Sequence, residues 1–167
     1  NTMGITITNN SWGGPSSAES GNPQTDLIYK AIQEGGEKGH LFVFAAGNSG
    51  QDSDKRPLIP GAYDIPAILN VASTTSSDKK SGFSNYGIET VDIGAPGSNI
   101  LSTLRKGFLR RGYGRLSGTS MAAPIVAGAA ATLQDRTPSA TPQEITSTLM
   151  SDVVTRKKLK RMSVYET

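Results

Sequence analysis

Residues 116–133, LSGTSMAAPIVAGAAATL, constrain the chain most. A Gly-Thr-Ser turn runs directly into a stretch with almost nothing polar on it. The apolar part, residues 121–133, is 13 residues long and contains Pro124 and Gly128. A bilayer span needs roughly 20 apolar residues, so this run reads as a helix buried inside a protein core and no membrane span is expected. Its small residues Ala122, Ala123, Ala127, Gly128 and Ala129 suit close packing against a sheet. Pro124 is expected near the first turn, where a lost N–H does least damage.

Strand material for that sheet lies upstream. HLFVFAAGNSG is an apolar run without alternation, the pattern of a strand covered on both faces. AILNVAS is a second run, after the proline-rich turn RPLIPGAYDIP; TVDIGAPGSNI is a strand broken at Ala95-Pro96-Gly97; GITITNNSWGG is a strand through Ile5 and Ile7 ending in Gly-Gly. Between them, PQTDLIYKAIQEGGEKG predicts a helix with Leu27, Ile28, Ala31 and Ile32 on one face, stopped by Gly35-Gly36. A last helix starts at TPQE, with Thr141 as N-cap, Pro142 at N1 and Glu144 at N3, a capping box. The order of elements predicts an α/β fold, a parallel sheet with helices on both sides. In such sheets function gathers at the carboxyl ends of the strands, which selects Ser11-Trp12-Gly13-Gly14, Asn48 and the turn before Ser120.

With 167 residues the chain is long enough for one domain with a core, and its 19 glycines suit a loop-rich α/β protein. There is no cysteine, hence no disulfide or thiolate metal site. Charge is uneven: residues 1–104 carry ten acidic and six basic side chains, residues 105–167 four acidic and eleven basic. The basic excess sits in a hairpin-like loop (Arg105, Lys106, Arg110, Arg111, Arg115) and near the end (Arg156, Lys157, Lys158, Lys160, Arg161). Such clusters read either as a nucleic-acid or anionic-membrane patch or as a solvated loop and tail. Only Phe108 and Tyr113 stand among the charges as stacking aromatics, which favours the second reading and no nucleic-acid partner. Asn1 opens neither a signal peptide nor a chain with an initiating Met, so the sequence reads as an excised piece or mature product.

Ser120 opens the buried helix, where N–H groups lack partners and the dipole is positive. An oxyanion formed on a substrate attacked by Ser120 is stabilised there, and Gly118 lets a substrate backbone approach. The same turn also reads as ordinary capping by Thr119 or Ser120. Asn48, after a buried strand and between Gly47 and Ser49-Gly50, offers an amide donor to the same anion, or is simply a turn asparagine.

GTSMAAP, FAAGNSG and NNSWGG, in this order and spacing, with GFSNYG, VDIGAPG and PGAYD in support, resemble the subtilisin-like serine peptidases, the subtilases. The resemblance covers roughly residues 3–150. It implies a three-layer subtilisin-like α/β fold with a mostly parallel sheet, of which this chain is the C-terminal portion. Residues 1–150 would then be catalytic domain and 151–167 a basic tail. It implies a serine endopeptidase acting on peptide or protein substrates, with Ser120 as nucleophile and Asn48 as the oxyanion-hole residue beside the backbone N–H of Ser120. Ser11, Trp12 and Gly13 match the segment that pairs with an extended substrate and walls the specificity pocket. Ala45, Ala46 and Gly47 match the opposite wall. Trp12 would line a pocket for an apolar side chain, Leu58 would lie near the pocket floor and Leu116 on the leaving-group side. The basic loop 105–115, longer than usual in the family, would steer acidic substrate segments.

A serine nucleophile needs a histidine oriented by a carboxylate. The one histidine, His40, opens the strand that ends at Asn48; eight strand residues at ~3.3 Å each put it roughly 26 Å away, so it is expected to be a surface residue after the Gly39 turn. The family's Asp-(Ser/Thr)-Gly and His-Gly-Thr motifs are absent, and Asp26, Asp52, Asp54, Asp64, Asp78 and Asp92 lack their context. The resemblance therefore implies that the catalytic Asp and His lie upstream of residue 1, that this chain alone is inactive, and that its partners are that N-terminal part of the domain and a pro-segment inhibitor. No metal residue and no cofactor are expected in this chain, with calcium expected in the complete domain. Secretion is implied by the family alone. A non-catalytic, peptide-binding subtilase-like scaffold is the alternative. The sequon Asn9-Asn10-Ser11 falls on the substrate-edge segment, where a glycan would block the cleft, and is read as chance.

Overall fold

The computed structural model of the protein describes residues 4–18, 20–22, 24–105, 112–151, 154–155 and 163–164. The elements are β1 (Ile7–Asn10), β2 (Gly14–Pro15), α1 (Leu27–Glu37), β3 (Leu41–Ala45), β4 (Leu58–Ile59), β5 (Ile68–Thr74), β6 (Ile93–Pro96), β7 (Ile100–Thr103), β8 (Tyr113–Leu116), α2 (Thr119–Arg136), α3 (Pro142–Ser151), β9 (Val154–Thr155) and β10 (Ser163–Val164). The main sheet runs β1-β3-β5-β6-β10-β9; every pairing in it is parallel except β9 with β10. Ile7 stands opposite Leu41, Phe42 opposite Ile68 and Val71 opposite Ile93. Two antiparallel pairs stand apart, β2 with β4 and β7 with β8.

The non-alternating strands are covered on both faces, as their sequences require. All seven residues of β5 are buried. Along β3, Leu41, Val43 and Ala45 join Leu69, Val71, Ile93 and the helix residues Ala122, Ala123, Val126, Ala130, Ile145 and Leu149 in one core. Phe44, with Phe42 packed at its edge, joins Ile32, Tyr63, Ile65, Ala67 and Ile68 on the other side. Thus α2 and α3 cover one face and α1 the opposite one, the α/β arrangement the sequence predicts.

α1 differs from its expectation in two respects. Of the predicted face only Ile32 is buried; Leu27, Ile28 and Ala31 are exposed, and Tyr29 packs on the core instead. Gly35-Gly36 does not stop the helix, which continues to Glu37. The two glycines are there because the sheet is close. A Cβ on Gly36 would lie 2.5 Å from Ala67 Cβ, and one on Gly35 2.7 Å from Phe42 Cζ. The turn out of the helix belongs to Gly39, at φ +83°. At the other end Asp26 caps the helix, accepting from the N–H groups of Ile28 and Tyr29. Burial works to raise its pKa, but these bonds and those from the Tyr63 hydroxyl and Gly21 N–H outweigh it and hold the carboxyl below its ordinary range.

α2 is capped by Gly118 without a side-chain bond. Neither Thr119 nor Ser120 is the N-cap; they are the first two helical residues. Pro124 is accordingly the sixth, beyond the N–H groups that every helix start leaves unpaired, so its missing donor is felt. The capping box of α3 is formed as predicted: Glu144 accepts from Thr141 N–H at 2.8 Å and donates its own N–H to Thr141 Oγ1 at 3.3 Å.

β7 and β8, on either side of the segment predicted as a basic loop, pair antiparallel. Arg115 lies on β8 and donates to the Asn99 carbonyl at 2.7 Å; Lys106, Phe108, Arg110 and Arg111 lie outside the described residues. The 151–167 segment contributes β9 and β10 to the sheet, while Arg156, Lys157, Lys158, Lys160 and Arg161 lie outside the described residues. No helix among the described residues is long and apolar enough to cross a membrane.

Candidate active site

The carboxyl ends of β1 and β3 and the start of α2 converge on a cleft of about 230 Å³. Ser11, Trp12 and Gly13 form one side; Ala45, Gly47 and Asn48 form the other; Thr119, Ser120 and Leu58 complete it. Trp12 is 54 % exposed and meets Phe44 edge-on, with ring centroids 5.7 Å apart. Ala46 is the exception among the predicted wall residues. Its side chain points away from the cleft and is buried with Ala72 and Val91, as strand alternation between Ala45 and Gly47 requires.

Gly47 is there for conformation and space. Its φ is +104°, and a Cβ would meet Asn85 Nδ2 at 2.5 Å and Leu58 Cδ2 at 2.8 Å. Its N–H donates to Thr119 Oγ1 at 3.1 Å. The Thr119 hydroxyl donates in turn to Asn48 Oδ1 at 3.1 Å, and the Thr119 backbone N–H donates to the same oxygen at 2.8 Å. With its oxygen held twice, Asn48 keeps its Nδ2 without a bond among the described residues, on an exposed side chain at the cleft. Ser120 is half-buried, and its hydroxyl likewise has no bond among the described residues. Ser11 Oγ donates to the Ser120 carbonyl at 3.2 Å.

Two residues of this network are not singled out by the sequence motifs. Thr119 reads by sequence only as a cap, yet it is fully buried and orients Asn48. Asn85 stands in GFSNYG with no role implied by its position. It is fully buried, its Nδ2 donates to the Ala46 carbonyl at 2.9 Å, and its Oδ1 accepts from Ser49 N–H at 2.9 Å. It thereby fixes the turn that presents Asn48. A polar residue between apolar or small neighbours was the available signal.

The sequence model of the subtilase family matches residues 2–165. The chain belongs to the subtilase family. This subtilase is 38 % identical over 146 residues to alkaline serine exoprotease A of Vibrio alginolyticus, a match covering 86 % of this chain and 26 % of that protein. It is 46 % identical over 96 residues to the extracellular basic protease of Dichelobacter nodosus, covering 56 % of this chain and 15 % of that protein. Among solved structures, a protease from Pseudoalteromonas arctica superposes with a TM-score of 0.80 at 32 % identity, covering 98 % of this chain and 50 % of that one. The fold is therefore the subtilisin-like α/β fold, and the chain spans about half or less of the length of these relatives.

The subtilase's one histidine is not part of the cleft. His40 precedes β3, at the amino end of the strand whose carboxyl end leads to Asn48. It sits half-buried at the surface, just after the Gly39 turn. Its Nδ1 lies 3.0 Å from the Ile5 carbonyl, an acceptor only, so Nδ1 carries the proton. Its Nε2 lies 3.0 Å from Thr8 Oγ1, and its ring sits 4.3 Å from that of Phe42. These contacts tie β1 to β3.

A separate cavity of about 540 Å³, sharing no lining residue with the cleft, carries Asp64, Glu89 and Asp92. Burial pushes the Asp92 carboxyl up to about 6, although its Oδ2 accepts from Asn70 N–H at 2.6 Å. Among the described residues no group of three or more His, Cys, Asp or Glu is placed to hold a metal ion.

Proposed function

We propose that residues 1–167 carry the nucleophile side of a subtilisin-like serine endopeptidase, with Ser120 attacking the scissile carbonyl of a peptide or protein substrate. The observation that carries this reading is the doubly held Asn48. Its oxygen is consumed by Thr119, and its free Nδ2 stands beside Ser120 in one cleft. Together with the Ser120 N–H at the start of α2, it forms a preorganised pair of donors for the oxyanion, needing no rearrangement as charge develops. Ser11, Trp12 and Gly13 offer an extended edge to the substrate backbone, with Trp12 presenting an apolar ring. Ala45 and Gly47 wall the pocket from the opposite side.

The base comes from outside this chain. His40 is engaged at the opposite end of β3, and a serine without a histidine is a poor nucleophile. The catalytic Asp and His belong to a further part of the catalytic domain, and residues 1–167 alone are inactive. Calcium in the complete domain and inhibition by a pro-segment belong to the same reading. Secretion is supported by the relative named as an extracellular protease.

The test is kinetic. In the complete catalytic domain Ser120→Ala abolishes peptide hydrolysis, and purified residues 1–167 show none. Hydrolysis by residues 1–167 that is sensitive to Ser120→Ala would refute the need for an outside base. Peptide binding by a complete domain that never hydrolyses would establish the scaffold reading instead.

A further inference from the structure

Pro124 takes a helical hydrogen bond away from Ser120. In α2 the Ser120 carbonyl would accept from the N–H of residue 124, four positions on. Proline has no N–H, and its ring crowds that same carbonyl. The bond is replaced from another part of the fold: Ser11 Oγ donates to the Ser120 carbonyl at 3.2 Å across 109 positions of sequence. Ser11 Oγ itself accepts from Asn9 Nδ2 at 3.1 Å. A relay thus runs from the end of β1, through the segment after it, to the first turn of α2. It also gives Asn9 and Ser11, the outer residues of the sequon, a structural use.

We propose that Ser11 is a positioning residue for Ser120, its hydroxyl standing in for the amide that Pro124 lacks. The proposal rests on the reading of Ser120 as nucleophile. The direction of the Ser120 carbonyl sets ψ at that residue, and the side-chain rotamers open to a residue depend on its φ and ψ. Holding the carbonyl therefore holds the hydroxyl on its line of attack. The donor sits on the substrate-edge segment, so a peptide that orders residues 11–13 steadies the nucleophile in the same act. A serine in the chain of bonds Asn9 to Ser11 to Ser120 both accepts and donates, which strengthens each bond of the series.

The experiment is a double-substitution cycle in the complete catalytic domain, measuring kcat and KM on one peptide substrate. Ser11→Val, which keeps the bulk of a threonine but no hydroxyl, lowers kcat roughly three- to ten-fold with KM within about two-fold, the size expected for one hydrogen bond. Ser11→Thr keeps the donor and stays close to the parent. Pro124→Ala restores an N–H at residue 124, and in that background Ser11→Ala changes kcat by less than about two-fold. Equal losses for Ser11→Val and Ser11→Thr, or the same Ser11→Ala loss in both backgrounds, would overturn the proposal. If Pro124→Ala does not fold, the threonine and valine pair decides alone. Activity that survives Ser120→Ala refutes the nucleophile reading itself, a result independent of the Ser11 cycle.

Discussion

Thr119 holds Asn48 by two donors on one oxygen, its N–H at 2.8 Å and its hydroxyl at 3.1 Å. The hydroxyl also accepts the buried Gly47 N–H. Thr119→Val therefore frees one bond to Asn48 and strands a backbone donor. In the complete catalytic domain we expect kcat to fall about ten-fold with KM little changed. If Asn48 supplies the oxyanion donor as proposed, Asn48→Leu should lower kcat by roughly 10²–10³, the cost of removing one such donor in subtilisin. A Thr119→Val loss that appears in KM alone would show that the pair binds substrate instead of orienting a donor.

Helical glycines in this chain separate into two kinds. Gly36→Ala places a methyl 2.5 Å from Ala67 Cβ and should destabilise the protein by about 1–3 kcal/mol despite alanine's better helix propensity. Gly128, inside α2, has nothing within 4 Å of a built Cβ. Gly128→Ala should stabilise by roughly 0.5–1 kcal/mol. Thermal melts of the two variants followed by circular dichroism must shift in opposite directions.

Asp92 makes the fold pH-sensitive. Its folded-state pKa of about 6 lies above the ordinary carboxylate value of 3.8, so between roughly pH 4 and pH 6 the folded chain holds a proton that the unfolded chain releases. Stability then falls as pH rises through that window and is level above it, by about 3 kcal/mol in all. Denaturant melts across pH 4 to 7, compared with Asp92→Asn, measure this; an unchanged slope in the variant would assign the effect to other groups.

His40→Ala tests whether the lone histidine has a chemical role. Its ring ties Thr8 and the Ile5 carbonyl and lies against Phe42. The substitution should lower stability by about 1–2 kcal/mol. It should leave kcat/KM of the complete catalytic domain within about two-fold. A loss of several orders of magnitude in kcat would instead point to His40 as the base.

The layers of this fold were legible because buried parallel strands and an all-apolar helix leave a strong pattern. The non-alternating runs at β3 and β5 and the run of α2 gave both faces of the sheet. α1 was harder: Leu27, Ile28 and Ala31 look like a core face by spacing, yet the burial is set by Tyr29, Ile32 and the glycines that admit Phe42 and Ala67. Glycine as a contact and glycine as a stop have the same letter, and only the partner across the gap tells them apart. In the site, Ser120 and Asn48 were visible as motif residues. Ala46 was not separable from its neighbours by motif, because side-chain direction follows the strand pleat. Thr119 and Asn85 act through bonds to residues tens of positions away, which no local pattern records.

β3 is a partition with different business on its two sides. Leu41, Val43 and Ala45 face the helix that carries Ser120, whereas Phe44 faces the α1 side and supports the Trp12 ring. The seat of α2 and the support of the Trp12 ring are thus held by alternate positions of one short strand. On the proposed reading, repacking at Phe44 should retune the Trp12 ring that meets a substrate while leaving the seat of α2 intact, and changes at Val43 should do the reverse. A sheet only one residue thick gives this subtilase two independently adjustable surfaces.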